Sequence, residues 1–248
     1  MTIKDKVIVL TGAGSGLGRA LTEGFAKHGA IVVGFGRREA ALKETAAEIA
    51  NDNFHWRIVD VSQADVVADA IQSIQEEFGR IDALMNNAAI YPKVSFLDQS
   101  PQEWMEAMNI NVGGVASCCH AVLPIMMQQG HGRIINLGSF ADKAPIPLSS
   151  GYSASKGAVR ALTKAIAADL GDQYPDIILI EWIPGHLNTQ MSDYTGIDPK
   201  SCVDWAIDLI NLPENDPSPR IFVENEEWFP PKGLRERLKE KLFFFRKE

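Results

Sequence analysis

The chain has 248 residues, 46% hydrophobic and 23% charged, the make-up of a globular protein with ample material for a buried core. Its formal net charge of -8 opposes nucleic acid and anionic membrane surfaces, both of which attract basic faces. The three cysteines, Cys118, Cys119 and Cys202, show neither CxxC nor Cys/His spacing, which points to reduced thiols in a cytoplasmic protein rather than to a metal site.

MTIKDKVIVLTG at the N-terminus enters a short apolar run directly, unlike a leader peptide. No apolar segment of 18 residues is expected, so nothing should span a membrane. Strand character recurs at residues 7–12, 30–35, 54–61, 82–87, 132–139, 176–183 and 220–224. These runs are almost continuously apolar, as strands are when helices cover both faces of a sheet. Helical faces lie between them: Leu17, Ala20, Leu21, Gly24 and Phe25; then Leu42, Ala46 and Ile49; then Val66, Ala70, Ile74 and Phe78. Strand and helix alternate throughout, which predicts a parallel, doubly wound α/β sheet of about seven strands. With no linker before about residue 190, residues 1–248 are taken as one domain. Residues from about 185 onward supply a substrate loop, the last strand and an atypical tail. In that tail, GLRERLKEKLFFFRKE, Leu234, Leu238, Leu242 and Phe245 form a stripe. It suits docking on the protein's own body or on a sister subunit better than a peripheral membrane anchor.

Between the first strand and the first helix lies TGAGSGLG. Glycines there let the backbone turn tightly and approach a pyrophosphate, which the helix N-terminus attracts through its free N–H groups and dipole. Further on stand Asn86-Asn87-Ala88-Ala89, Asp60-Val61, Asn111 in NVGG, and Ser139, which is 13 residues before the tyrosine of Tyr152-x-x-x-Lys156. Pro184-Gly185 with Thr189 completes the series. In this order and spacing, from about residue 5 to 190, the chain resembles the short-chain dehydrogenase/reductase family. It departs where alanine replaces the last glycine of NNAG, and again after residue 190.

The resemblance implies a single Rossmann-type domain that binds a nicotinamide dinucleotide. It implies Asn111, Ser139, Tyr152 and Lys156 as catalytic residues. Cofactor contacts would come from Gly12, Ser15, Gly16, Leu17, Gly18, Arg37, Arg38, Asp60, Val61, Asn87, Ala88, Tyr152, Lys156, Pro184, Gly185 and Thr189; no metal is implied. Lys156 would hold the nicotinamide ribose, Ser139 the substrate oxygen, and Asn111 a water that relays protons to Lys156. A homodimer or homotetramer is implied, paired through helices spanning roughly 101–129 and 152–173.

The chemistry accounts for the residue types. Reducing a carbonyl needs a hydride on carbon and a proton on oxygen. A free tyrosine titrates near about 10, and a lysine one helical turn away is expected to favour phenolate and lower that value. Tyr152 then serves as acid in reduction and as base in oxidation.

At the end of the second strand, Gly36 stands where NAD-type relatives carry an acid, and Arg37 and Arg38 follow. An arginine there suits a 2′-phosphate, so NADP(H) is favoured over NAD(H). Ala89 to Tyr91, Phe140, Ala141, Pro145, Ile146, His186, Leu187, Met191 and Tyr194 should face the substrate. They are mostly apolar and suit a hydrophobic ketone or secondary alcohol. An NAD(H)-dependent alcohol dehydrogenase and a non-catalytic dinucleotide sensor are the alternatives. The retained Asn111, Ser139, Tyr152 and Lys156 argue against the sensor.

Overall fold

The apolar runs become strands because most of them offer apolar side chains to both faces of one sheet. A computed structural model describes residues 2–214 and 217–229; the aromatic tail lies outside the described residues. The strands are β1 (Val7–Thr11), β2 (Ile31–Gly36), β3 (Phe54–Ile58), β4 (Ala83–Asn86), β5 (Gly132–Leu137), β6 (Ile177–Ile183), β7 (Arg220–Val223) and β8 (Glu226–Glu227). They form one sheet in the order β3-β2-β1-β4-β5-β6-β7-β8. The seven expected strands are all parallel, and β8 folds back antiparallel on β7. Glu226 and Glu227 carry no strand pattern of their own. A tight turn and the 2.6 Å pair between Arg220 and Glu227 hold them there.

The helices are α1 (Gly16–Lys27), α2 (Glu39–Ala47), α3 (Ala64–Phe78), α4 (Pro101–Met108), α5 (Gly114–Gln129), α6 (Ser150–Leu170) and α7 (Cys202–Ile210). On one side of the sheet, Leu21 and Phe25 of α1, Leu42 of α2, Trp182 of β6 and Ile207 of α7 belong to one buried cluster. On the other, α3, α5 and α6 bring Ile74, Val122 and Val159 against Leu84 and Leu179. On the expected face of α3, Ile74 is buried and Ala70 and Phe78 pack partly buried against the core, but Val66 is exposed. The buried stripe extends instead to Val67 and Ile71.

The membrane expectation also needs correcting. Pro101–Gln129 runs as one helix through a π-helical turn, Asn109–Gly113, and is apolar enough over 18 residues to cross a bilayer by length and composition. Its Val115, Cys118, Cys119, Val122 and Met126 are buried in the core of the sheet's second face, as in the core helix of a globular protein. The buried Cys118 and Cys119 thiols are pushed up to about 12 by burial, which leaves them unreactive.

β1 is an interior strand, third in the sheet. The chain first adds β2 and β3 on one side of it, then crosses to β4 on the other. The crevice at the C-terminal ends of β1 and β4 is where doubly wound sheets place their ligands.

Candidate active site

The crevice is stitched by Thr11, whose hydroxyl accepts from the Asn87 and Ala88 N–H groups at 3.0 and 2.9 Å. Asn87 Nδ2 donates back to the Thr11 carbonyl at 2.8 Å. The glycine turn closes on the same point. Gly12 has φ +74°, and a Cβ on Gly18 would lie 2.1 Å from the Gly12 carbonyl oxygen, so neither tolerates a side chain. Ser15 is the N-cap of α1 and Leu17 packs beneath; the Ser15 side chain does not cap the helix. The first-turn N–H groups are therefore not satisfied by the cap, as an anion cradle requires. Thr189 closes the cradle from above, its Cγ2 lying 3.3 Å from where a Gly16 Cβ would stand.

Beside the turn, Gly14, Ser15, Gly16, Arg19, Arg38, Ala41 and Glu44 line a cleft of about 280 Å³. Arg38 reaches it. Arg37 instead leans toward Asp60 at 3.9 Å, half exposed. Asp60 also accepts from the Ser62 backbone and hydroxyl, and Val61 is buried against Gly114. Arg19, which the motif did not single out, braces the cleft wall by donating to the Gly14 carbonyl at 2.8 Å and pairing with Glu44. The glycine turn, the uncapped helix start and the arginines fit a dinucleotide.

Past the cradle, Tyr152 and Lys156 emerge from the first turns of α6 and Ser139 follows β5. Ser139 opens a short 3-10 turn, its hydroxyl accepting from the Ala141 N–H at 3.1 Å. Burial pushes the Tyr152 phenol above its ordinary value. A hydrogen bond with Ser139 pulls it back, and the neighbouring Tyr91 pushes it further up. The expected lowering by Lys156 is therefore not what the packing yields. Tyr91 stacks on Tyr152, with ring centroids 4.8 Å apart and 22° between planes, and removes water from one side of the phenol. Lys156 is 6% exposed, and its Nζ lies 5.5 Å from the Tyr152 ring centroid while donating to the Leu137 carbonyl at 2.7 Å. Burial drives its ammonium down to about 8, and Glu181 pushes it the other way.

Asn111 lies in the π-helical turn, and its amide is fully engaged. It accepts from the Ile90 N–H at 2.8 Å and donates to the Ile90 carbonyl and the Ser155 hydroxyl at 2.9 and 3.0 Å. Both amide protons are thus spent on structure, and the side chain works as a clasp between the loop after β4, the long helix and α6. Ser155, one of the small residues between Tyr152 and Lys156, owes its place to that contact.

Pro184 and Gly185 (φ +91°) turn the chain out of β6 into the loop that carries Thr189. His186 hydrogen-bonds the Thr195 hydroxyl at 2.7 Å, and Lys93 pairs with Asp193 at 2.6 Å across the cleft mouth. Phe140, Ile146, Met191 and Tyr194 are exposed. The motifs missed Thr11, Arg19, Arg160 and Glu181. Glu181 was the one detectable from the sequence, as an acid in the middle of an otherwise apolar strand.

This combination of phosphate-binding backbone at β1 and titratable side chains at β5 and α6 is that of an oxidoreductase working with a bound dinucleotide. The profile of the short chain dehydrogenase family matches residues 6–199, and the chain belongs to that family. It is 36% identical over 193 residues to an uncharacterized oxidoreductase of Staphylococcus saprophyticus, covering 77% of this chain and 78% of that one. It is 35% identical over 178 residues to a 3α-hydroxysteroid dehydrogenase of Mediterraneibacter gnavus, covering 69% and 70%. Among solved structures, a 3-ketoacyl-(acyl-carrier-protein) reductase of Brucella melitensis complexed with NADH superposes with a TM-score of 0.82 at 26% identity, covering 91% of this chain and 100% of that one. The protein is therefore an enzyme of the CH–OH/C=O class that binds a nicotinamide dinucleotide.

Proposed function

We propose that the protein transfers hydride between NADP(H) and a carbonyl or secondary alcohol on a mostly apolar substrate, with Tyr152 as general acid and base. The observation that carries the reading is the convergence of Ser139, Tyr152 and Lys156 at the end of the dinucleotide cradle, beneath an apolar mouth. When bound, the nicotinamide supplies or takes the hydride. In reduction, the Tyr152 hydroxyl delivers its proton to the substrate oxygen while the Ser139 hydroxyl holds that oxygen. A phenol pushed up by burial is a proper acid for that step, and it is readied for the reverse step only as positive charge accumulates beside it. Lys156 supplies part of that charge and a donor for the ribose. Asn111 fixes the backbone around them.

NADP(H) is favoured because no acid stands at Gly36 and because Arg38 lines the adenosine cleft with Arg37 beside it. NAD(H) use is the second reading, favoured by the NADH complex of the Brucella neighbour. The substrate is read as apolar from Phe140, Ile146, Met191 and Tyr194. By family resemblance the subunits pair through α5 and α6.

The test is a panel of ketones and secondary alcohols followed by NADPH absorbance, with Tyr152→Phe as the control. The expected outcome is a loss of at least about a hundredfold in kcat with the fold intact. Undiminished activity in Tyr152→Phe would remove the mechanism.

A further inference from the structure

Tyr152 leaves α6 among small neighbours: Gly151, Ser153, Ala154 and Ser155 flank it. Ser155 is committed elsewhere. Its hydroxyl donates to the Tyr152 carbonyl at 2.7 Å and accepts from Asn111 Nδ2 at 3.0 Å. These residues keep the approach to the phenol open, but they give its ring little to lean on. The last torsion of a tyrosine side chain joins an sp3 to an sp2 carbon and has only a broad, two-fold preference. Rotamer choice alone therefore does not fix the plane of the ring. Lys156 does not fix it either, since its Nζ stands 5.5 Å from the ring centroid and is spent on the Leu137 carbonyl.

Tyr91 supplies the missing surface. Its ring stacks on that of Tyr152, with centroids 4.8 Å apart and 22° between planes, within the range of attractive aromatic pairs. Tyr91 belongs to no helix or strand, so its own backbone must be held. The loop after β4 is tied on both sides of it. Before it, the buried Asn111 side chain engages both backbone groups of Ile90, at 2.8 and 2.9 Å. After it, Lys93 pairs with Asp193 at 2.6 Å and sets its Nζ 5.9 Å from the Tyr91 ring centroid. Asp193 is 81% exposed, so that pair is screened by solvent and contributes little. The Asn111 clasp is the anchor. Contact thus runs from Asn111 through the Ile90 backbone and the Tyr91 ring to the ring of Tyr152.

We propose that Tyr91 is a positioning residue whose ring, not its hydroxyl, fixes the plane of the Tyr152 phenol and hence the direction in which its proton is delivered. The proposal rests on the reading of Tyr152 as the general acid. A near-parallel stack is a contact between faces, which phenylalanine reproduces. An aliphatic side chain of similar bulk fills the space without offering a flat face.

The experiment compares kcat and KM for the ketone best turned over in the panel above, at saturating reduced cofactor. The proteins are the wild type, Tyr91→Leu and Tyr91→Phe, each checked by circular dichroism. In Tyr91→Leu, kcat should fall about tenfold or more while KM for the ketone stays within about threefold, because orientation is lost rather than binding. Tyr91→Phe should recover most of the kcat that leucine loses. A Tyr91→Leu enzyme with unchanged kcat, whether or not KM rises, would make the ring no more than a wall of the substrate site. Tyr91→Phe as slow as Tyr91→Leu would assign the effect to the hydroxyl. A Tyr91→Leu chain that fails to fold would make the stack a structural contact. Each of these overturns the proposal. Activity retained in Tyr152→Phe would instead sink the underlying reading, which keeps the two failures distinct.

Discussion

Lys156 shows what the site costs the fold. It is held almost without solvent, with one carbonyl as partner, and its ammonium is driven from 10.5 to about 8. That drop corresponds to roughly 3 kcal/mol of unfavourable work in keeping it charged at neutral pH. Lys156→Met should therefore melt higher than the wild type at pH 7. The net gain should be about 1–2 kcal/mol, because the Leu137 carbonyl loses its donor, and activity should vanish. The sign follows from linkage. Between pH of about 8 and 10.5 the unfolded chain holds the more protons, so this group's contribution to stability rises with pH in that window. The advantage of methionine should accordingly be greatest at pH 7 and shrink toward pH 10. A variant that melts below the wild type at pH 7 would contradict it. Chain spacing alone revealed the pairing of Tyr152 with Lys156. It did not reveal that the phenol is pushed upward, because the cause is burial by residues, Tyr91 among them, that meet Tyr152 only through the fold.

Elements were legible in the sequence where apolar volume decides and illegible where a single polar contact does. Every parallel strand falls in an apolar run and was visible as such, although β3, FHWRI, carries a histidine and an arginine. β8 is two glutamates held by Arg220, and no pattern announces it. The same distinction governs the π-helical turn at Asn109–Gly113. NINVGG does not advertise an extra residue in the helix; the widening comes with Asn111 tied to both backbone groups of Ile90 and to Ser155. Removing that clasp should unpair buried groups on three elements at once. Asn111→Ala is expected to cost about 2–4 kcal/mol, well beyond an ordinary lost contact. It should lower the urea midpoint and, since Ile90 precedes Tyr91, abolish most activity. A stability loss of less than about 0.5 kcal/mol would mean that the turn is held by its helix neighbours rather than by Asn111.

At the scale of the molecule, the crossover from β3 back to β4 makes the cradle a junction between the two halves of the sheet, not a feature of one loop. Thr11 with Gly12, Asn87 and Thr189 arrive there from three separate segments. A dinucleotide bound across them should stabilise the native state as a whole, because the unfolded chain brings none of these groups together. At a concentration 100 times its dissociation constant a ligand contributes about 2.7 kcal/mol, which for a chain of this size is roughly 5–10 °C in melting temperature. Thermal melts thus report cofactor preference without any knowledge of the substrate. At equal concentrations NADPH should raise the melting temperature more than NADH does, because only the 2′-phosphate can use the arginines that follow β2. Arg38 lines the adenosine cleft, and Arg37, held by Asp60 at 3.9 Å while half exposed, is free to turn toward it. Replacing both by alanine should therefore lower the NADPH shift to the NADH level and leave the NADH shift unchanged, since the pyrophosphate is held by the glycine turn and α1. Equal shifts from the two cofactors in the wild type would assign the enzyme to NAD(H), and the arginine pair to the solvated start of α2.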